Sequence, residues 1–320
     1  MKTVVVKYLR AIIGVAVYLI VAYKIFGADK HFSFSELLER SHWGLLLVVT
    51  LLMPISWFFE ALKWKVVVAE VQPLSIMDSW KSVWYGVAAG QLTPNRVGEP
   101  VGRAAMLLPQ HRARGVYAAA WCALSQQLAT VSFGVVGVVV WLYAGLMLPG
   151  NIFVSNIAIS LLVIFWVASV LLVVIAPNAL FRLIVKIPYA KKWVGNSPQI
   201  FAHSKKVIAI SVGLSLIRYF VFSTQFLLML MALDVVAPLH LLYAAIWLTY
   251  LFSSAIPTFA WSEAGVRAGF SILFVGMIIP NTAVVALAAM LLWVVNVGFP
   301  ALVGAWVPWG RGGSGRSEGI

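Results

Sequence analysis

The chain has 320 residues, 62% of them hydrophobic and 10% charged, where a soluble domain carries roughly 25% charged residues. That composition excludes a soluble fold. It also excludes nucleic-acid binding as the use of the net charge of +13, because no soluble basic domain exists to carry it. The one cysteine, Cys122, excludes an internal disulfide and a thiolate metal cluster, and the five histidines show no metal-ligand spacing.

Met1 to Arg10 is short and basic. The apolar run from about Tyr8 to Phe26 is too long for a signal peptide and no A-x-A site follows it, so it reads as a first transmembrane helix with a cytoplasmic N-terminus. Asp29 to His42 sets Phe32, Phe34, Leu37 and Leu38 among Glu36, Glu39 and Arg40, the spacing of an amphipathic helix on the bilayer surface. The second span runs from about Trp43 to Leu62 and ends at Lys63 and Lys65. Asp78 to Leu92 is short of the roughly 20 residues a span needs. A charged, proline- and glycine-bearing stretch interrupts it, and Val101 to Leu108 resumes the apolar pattern before Arg112 and Arg114. This reads as a re-entrant helical hairpin, a form tolerated at membrane depth where protein or a wet cavity surrounds it.

Gly115 to Leu148 holds the third span and Ile152 to Ala176 the fourth. Pro177 to Lys206 is the longest polar connection, and Val207 to Leu233 is a fifth span with Arg218 near its middle. Leu239 to Ile279 forms a second hairpin, Thr282 to Val307 the last span, and Gly310 to Ile320 a glycine-rich, disordered cytoplasmic tail. Tryptophans at span ends (Trp43, Trp64, Trp193, Trp306 and Trp309) read as an interfacial belt. Gln126, Gln127 and Gln225 read as interhelical hydrogen-bond partners.

Lysine and arginine orient this layout. Fifteen fall in loops on the N-terminal side: Lys2, Lys7, Arg10, Lys63, Lys65, Arg112, Arg114, Arg182, Lys186, Lys191, Lys192, Lys205, Lys206, Arg311 and Arg316. Three, Lys24, Lys30 and Arg40, fall on the other side. The bias places both termini in the cytoplasm. The first hairpin then enters from the cytoplasm and the second from outside.

The two hairpin motifs resemble each other. Leu92-Thr93-Pro94-Asn95-Arg96-Val97-Gly98-Glu99-Pro100-Val101-Gly102-Arg103 and Ile256-Pro257-Thr258-Phe259-Ala260-Trp261-Ser262-Glu263-Ala264-Gly265-Val266-Arg267 each run from a proline to a glutamate and, four residues on, an arginine. With the element order, this predicts an all-α polytopic protein. About six transmembrane helices and two oppositely oriented re-entrant hairpins form inverted repeats over about 1–148 and 152–309.

Glu99 with Arg103, and Glu263 with Arg267, are i,i+4 pairs in the favoured orientation. One reading is a self-neutralising pair that lets a broken helix sit in the membrane. The other is a phosphate site: Arg103 and Arg267 present planar forks for bidentate binding, and Glu99 and Glu263 hold them when no anion is bound. Pro94 and Pro257 end the incoming helices, and Gly98 and Gly265 shape the bends. Arg96 either contacts a headgroup at the inner surface or anchors the turn. Arg218 has no acid in its own helix, which leaves Glu99 or Glu263 as its partner, or snorkelling to the interface. The candidate substrate-binding set is therefore Arg96, Glu99, Arg103, Arg218, Glu263 and Arg267, with no metal and no cofactor.

The first motif, Pro94, Arg96, Gly98, Glu99 and Arg103, resembles the lysylphosphatidylglycerol synthase transmembrane-region family, and Pro257, Glu263, Gly265 and Arg267 match its second motif. At Phe259-Ala260-Trp261 such families show more glycine. The resemblance covers nearly all of Met1 to Trp309 and implies a flippase-like integral membrane protein whose relatives handle aminoacylated lipids, hopanoids or polyprenyl-linked sugars. It does not extend to the soluble aminoacyl-transfer domain of the synthases, and that activity is not expected. A lipid flippase or lipid-headgroup transporter of the cytoplasmic membrane is the leading expectation. Its partners are membrane lipids, anionic or phosphate-bearing. Two alternatives stand: a non-transporting subunit recruiting a partner enzyme through the basic Arg182 to Lys206 loop, and an intramembrane enzyme on a lipid phosphate. The latter lacks an acidic or histidine cluster in the hairpins.

Overall fold

The structure, a computed structural model, describes residues 39–93, 96–146, 156–175, 203–256, 258 and 260–307. The expected first span, most of the surface helix, Pro94, Pro257, the tail and the Pro177 connection up to residue 202 lie outside the described residues. Among the described residues every regular element is helical. They are α1 (Trp43–Val68), α2 (Ile76–Gln91), α3 (Gly98–Ala105), α4 (Arg112–Tyr143), α5 (Asn156–Ile175), α6 (Lys205–Ala232), α7 (Leu239–Ala255), α8 (Ala260–Phe274), α9 (Thr282–Trp293) and α10 (Phe299–Ala305). A π-helical turn, Val294–Gly298, joins α9 to α10.

The ends of these helices follow from local chemistry. Ser75 caps α2 by accepting from the Asp78 amide at 3.0 Å and donates to the Asp78 carboxylate at 2.7 Å. Ser204 and Asn281 cap α6 and α9 in the same way, accepting from Val207 and Val284. α2 and α7 stop at Gln91 and Ala255, shortly before Pro94 and Pro257 in sequence.

Among the described residues four stretches are long and apolar enough to cross a bilayer: Trp43–Val68, Pro109–Tyr143, Lys205–Ala232 and Thr282–Ala305. Ile157–Leu171 of α5 is a shorter apolar run with most of its large side chains exposed. Less than half of each long span is covered by the rest of the protein. Exposed Leu47, Leu51, Ile55 and Phe58 on α1, or Leu161, Ile164 and Phe165 on α5, have no aqueous rationale. The protein is a multi-pass membrane protein.

α1 and α6 run antiparallel along their whole length. Contacts step regularly from one end to the other: His42 N–H to Ala232 O at 2.8 Å, Gln225 Nε2 to Val49 O at 2.8 Å, Lys63 Nζ to Ser215 Oγ at 3.2 Å, and His203 Nδ1 to Glu70 Oε2 at 2.6 Å. α2 and α3 fold back on each other, and Leu108 N–H reaches Gln72 Oε1 at 3.0 Å, so the second limb ends beside the start of the first. α7 and α8 form the second such unit, joined where Thr249 Oγ1 donates to Phe270 O at 3.3 Å.

Each unit packs against a span of the other half of the chain. α2 meets α10 at Gly304, where a Cβ would lie 2.0 Å from the Trp84 carbonyl oxygen. α7 meets α4 at Gly134 and Gly137, which face Leu251 and Ala244. Small residues let membrane helices approach this closely.

The second span does not end at Lys63 and Lys65. α1 continues to Val68, and Lys63 is 1% exposed. The lysine is held inside because a carboxylate three residues earlier on the same face neutralises it. Lys63 therefore leaves the fifteen lysines and arginines counted in loops on the N-terminal side, and Lys65 lies in the last turn of α1. Trp64 is likewise fully buried, not interfacial, whereas Trp43 and Trp306 are exposed at helix ends.

Candidate functional site

Arg96 sits in the turn between α2 and α3 with φ 55°, a left-handed backbone uncommon outside glycine, aspartate and asparagine. Gly98 follows at a place where a Cβ would meet the Ala89 carbonyl at 2.5 Å, and its N–H donates to Thr93 Oγ1 at 2.7 Å. Gly86 and Gly102 face each other between the limbs, a Cβ on Gly102 lying 2.9 Å from Gly86 Cα. These glycines bring α3 flush against α2 and fix the height at which Glu99 and Arg103 emerge.

From there a chain of alternating charge runs across the protein. Lys63 Nζ lies 2.8 Å from Glu60 Oε2. Glu60 Oε1 accepts from Arg103 Nη1 at 2.7 Å, and Arg103 Nη2 donates to Glu99 Oε1 at 2.6 Å. Arg96 Nη1 is 4.0 Å from Glu99, and Arg96 Nε is 3.4 Å from Glu263 Oε2 in the second unit. Glu263 Oε1 accepts from Arg267 Nη2 at 2.5 Å. Arg218 branches from this chain at Glu60, 3.3 Å away.

Aromatic faces line both ends. The Arg218 guanidinium stacks 4.9 Å over Trp57, and Arg267 lies 5.5 Å over Tyr250. Trp57 is fixed in turn by donating to Asn296 O, inside the π-helical turn, at 3.2 Å. Gln126 Oε1 accepts from Arg218 Nη1 at 3.0 Å, and Gln127 Nε2 reaches Ser254 Oγ at 3.1 Å. All three glutamines named from the sequence thus bridge helices.

Exposure is graded along the chain of charges. Lys63, Glu60 and Arg103 are dry, with side chains 1%, 4% and 6% exposed, whereas Arg267 and Arg96 reach 25% and 28%. Arg96 Nη2 and Arg218 Nε have no hydrogen-bond partner. Five cations face three carboxylates, an excess of two positive charges. A surplus of guanidinium with free donors is chemically suited to an anion.

The structure brings together all six residues of the expected set: Arg96, Glu99, Arg103, Arg218, Glu263 and Arg267. Gly265 is buried within α8. Pro94 and Pro257 lie outside the described residues, as does the Trp261 side chain. One pairing differs. The sequence offers Glu99 or Glu263 to Arg218, and the structure gives it Glu60, because the antiparallel α1–α6 contact sets those two positions level. Snorkelling is excluded by the same contact.

Glu60 and Lys63 are the members that sequence reasoning missed. An acid three residues before a lysine, inside a run of Trp57, Phe58, Phe59, Ala61 and Leu62, was the available signal. Among the described residues, no group of three or more His, Cys, Asp or Glu is placed to hold a metal.

A family model described as the lysylphosphatidylglycerol synthase TM region matches residues 11–304. No curated protein matches the chain.

Proposed function

Since the chain belongs to the lysylphosphatidylglycerol synthase TM region family, we propose that it is a flippase-like transporter that moves a phosphate-bearing amphiphile across the cytoplasmic membrane. The observation that carries this reading is Glu263, which lies between Arg267 of its own helix and Arg96 of the other helix–turn–helix unit. Both arginines are the more exposed members of the charged chain. A headgroup phosphate entering there displaces the carboxylate and takes both guanidinium forks. Glu263 ties the two units together, and a bound phosphate takes over that tie.

The same reading treats the units as re-entrant hairpins from opposite faces. The exchange of partners supports an inverted duplication: the first limb of each unit packs on the closing span of the other half, through glycine in both cases. The lengths agree, since limbs of 16 and 17 residues reach about 25 Å, short of a hydrocarbon core of about 30 Å. Both termini lie in the cytoplasm on the charge bias, and the activity is movement of the lipid without a chemical step.

The test is lipid movement in reconstituted vesicles, read by quenching of a fluorescent phospholipid from one leaflet. Arg96→Gln and Arg267→Gln, at equal protein levels, are expected to slow it about tenfold or more, the equivalent of about 1.4 kcal/mol for each lost bidentate contact. Wild-type rates in both variants would remove the headgroup site from this place.

A further inference from the structure

The charge balance of the site says which phosphate fits it. Lys63, Arg103 and Arg218 share the single carboxylate Glu60, and Arg103 also holds Glu99; Arg96 and Arg267 share Glu263. The surplus is therefore one cation at each end of the chain. Arg218 and Arg103 meet on Glu60, Arg103 holds Glu99, and Arg96 lies 4.0 Å from Glu99, so the two surpluses are joined through two carboxylates. No other acid can answer them among the described residues: Glu39, Glu70, Asp78 and Asp234 lie at helix ends or turns, and Glu70 is engaged by His203. Of the three that remain in the chain, Asp29 and Glu36 belong by sequence to the surface segment and Glu318 to the tail.

A single diester phosphate carries one negative charge and leaves one of these cations unmatched in a low-dielectric setting, where an uncompensated charge is costly. A doubly charged headgroup matches both. We infer that the site takes a headgroup bearing two negative charges on one phosphate, a phosphomonoester dianion, in preference to the singly charged diester of ordinary glycerophospholipids. This rests on the headgroup site proposed above.

The free donors agree with it. Arg96 Nη2 and Arg218 Nε add directed contacts to those made when Glu263 is displaced, and a terminal phosphate offers three oxygens where a diester offers two. The acids set the opposite limit. With Glu60 and Glu99 both held by Arg103, a headgroup carrying more than two charges meets their repulsion without further cations to answer it.

The experiment uses the whole chain purified in neutral detergent, with dioctanoyl phosphatidic acid, dioctanoyl phosphatidylglycerol and a short-chain cardiolipin as competing probes at pH 8 and pH 5. Phosphatidic acid is expected to bind at least about tenfold more tightly than phosphatidylglycerol at pH 8. The preference should fade at pH 5, below the second ionisation of a phosphomonoester at about 6, while phosphatidylglycerol changes little. Cardiolipin, with two diesters, separates the sources of charge: binding that rivals phosphatidic acid places the two charges on two phosphates and overturns the monoester assignment. Arg218→Gln, which removes one surplus cation, is expected to weaken phosphatidic acid more than phosphatidylglycerol and so collapse the preference; a preference as large as in the wild-type protein overturns the charge-matching inference. Equal affinity for phosphatidic acid and phosphatidylglycerol in the wild-type protein overturns the charge-matching inference and leaves the headgroup site standing. Binding of none of the three overturns the site itself.

Discussion

Arg96 and Glu263 meet at 3.4 Å across the two helix–turn–helix units, in an ion pair without hydrogen-bond geometry. Of the pairs that make up the charged chain, this one alone joins the first motif to the second. The other acid–base contacts of the charged chain lie within a motif, lie within α1, or join Glu60 of α1 to Arg103 and to Arg218 of α6. A loose contact between tightly built neighbours is where a ligand can enter and where the units can part.

The first prediction concerns that contact. A double-mutant cycle of Arg96→Gln and Glu263→Gln, read by thermal unfolding in detergent, should give a coupling of about 0.5–1 kcal/mol, at the low end for neighbouring residues because both groups are partly exposed. The coupling should shrink when a phospholipid with a terminal phosphate is added. A coupling unaffected by saturating lipid would show that the phosphate does not take Glu263's place.

Glu60 should matter more to stability than the glutamates of the motifs. Glu60→Gln leaves Lys63, Arg103 and Arg218 facing one another and should cost about 3–5 kcal/mol, the usual penalty for breaking a buried ion pair. Glu99→Gln leaves Arg103 its contact with Glu60 and should cost about 1–2 kcal/mol. Lys63→Met introduced together with Glu60→Gln should recover part of the loss. Equal losses at the two glutamates, measured as unfolding midpoints, would deny Glu60 its central place.

Packing between the halves gives a third. A Cβ at Gly304 would sit 2.0 Å from the Trp84 carbonyl oxygen and 2.5 Å from its carbon, and backbone cannot yield as a flexible side chain can. Gly304→Ala should cost about 1–3 kcal/mol by overpacking and slow lipid movement without preventing insertion. Gly269→Ala, with nothing within 4 Å of its Cβ, should stay within about 0.5 kcal/mol of wild type. A Gly304→Ala protein with wild-type stability would mean that α10 does not press on α2 in solution.

Orientation is checked with cysteines on a Cys122→Ala background, since Cys122 is fully buried and its carbonyl accepts from Lys63. Pro109 and Pro280 are both exposed and follow the first and second units. A membrane-impermeant thiol reagent applied to intact cells should label the 280 position and spare 109, with the reverse in inside-out vesicles. Labelling of both from one face would make the repeats parallel.

Much of this was legible in the sequence, for physical reasons. Apolar runs of span length have few alternatives to membrane helices, and charges inside them are costly enough to stand out. That is why Glu99, Arg103, Glu263 and Arg267 were visible, and why Arg96 and Arg218 could be named although their partners could not. Partners across helices depend on the vertical register of α1 against α6, which no local pattern encodes. Lys63 was misread for a related reason. Two lysines after an apolar run signal a helix end, and Glu60, three residues before Lys63 on the same helix, outweighs that signal only where α3 and α6 close around the pair.

The π-helical turn sets the phase of the chain's last described helix. Its five residues, Val294–Gly298, insert a wider turn between α9 and α10. Were one of them deleted and an unbroken α-helix restored, Phe299–Ala305 would rotate by about 100° per residue removed. Gly304 would then turn away from the Trp84 carbonyl, and a bulkier neighbour would turn towards it. The Asn296 carbonyl would leave the Trp57 indole in the same movement. Because that indole carries Arg218 on its face, a change of a single residue far along the chain would be felt as a misaimed guanidinium. The spacing of this stretch, more than its side chains, is what a working copy of the protein must preserve.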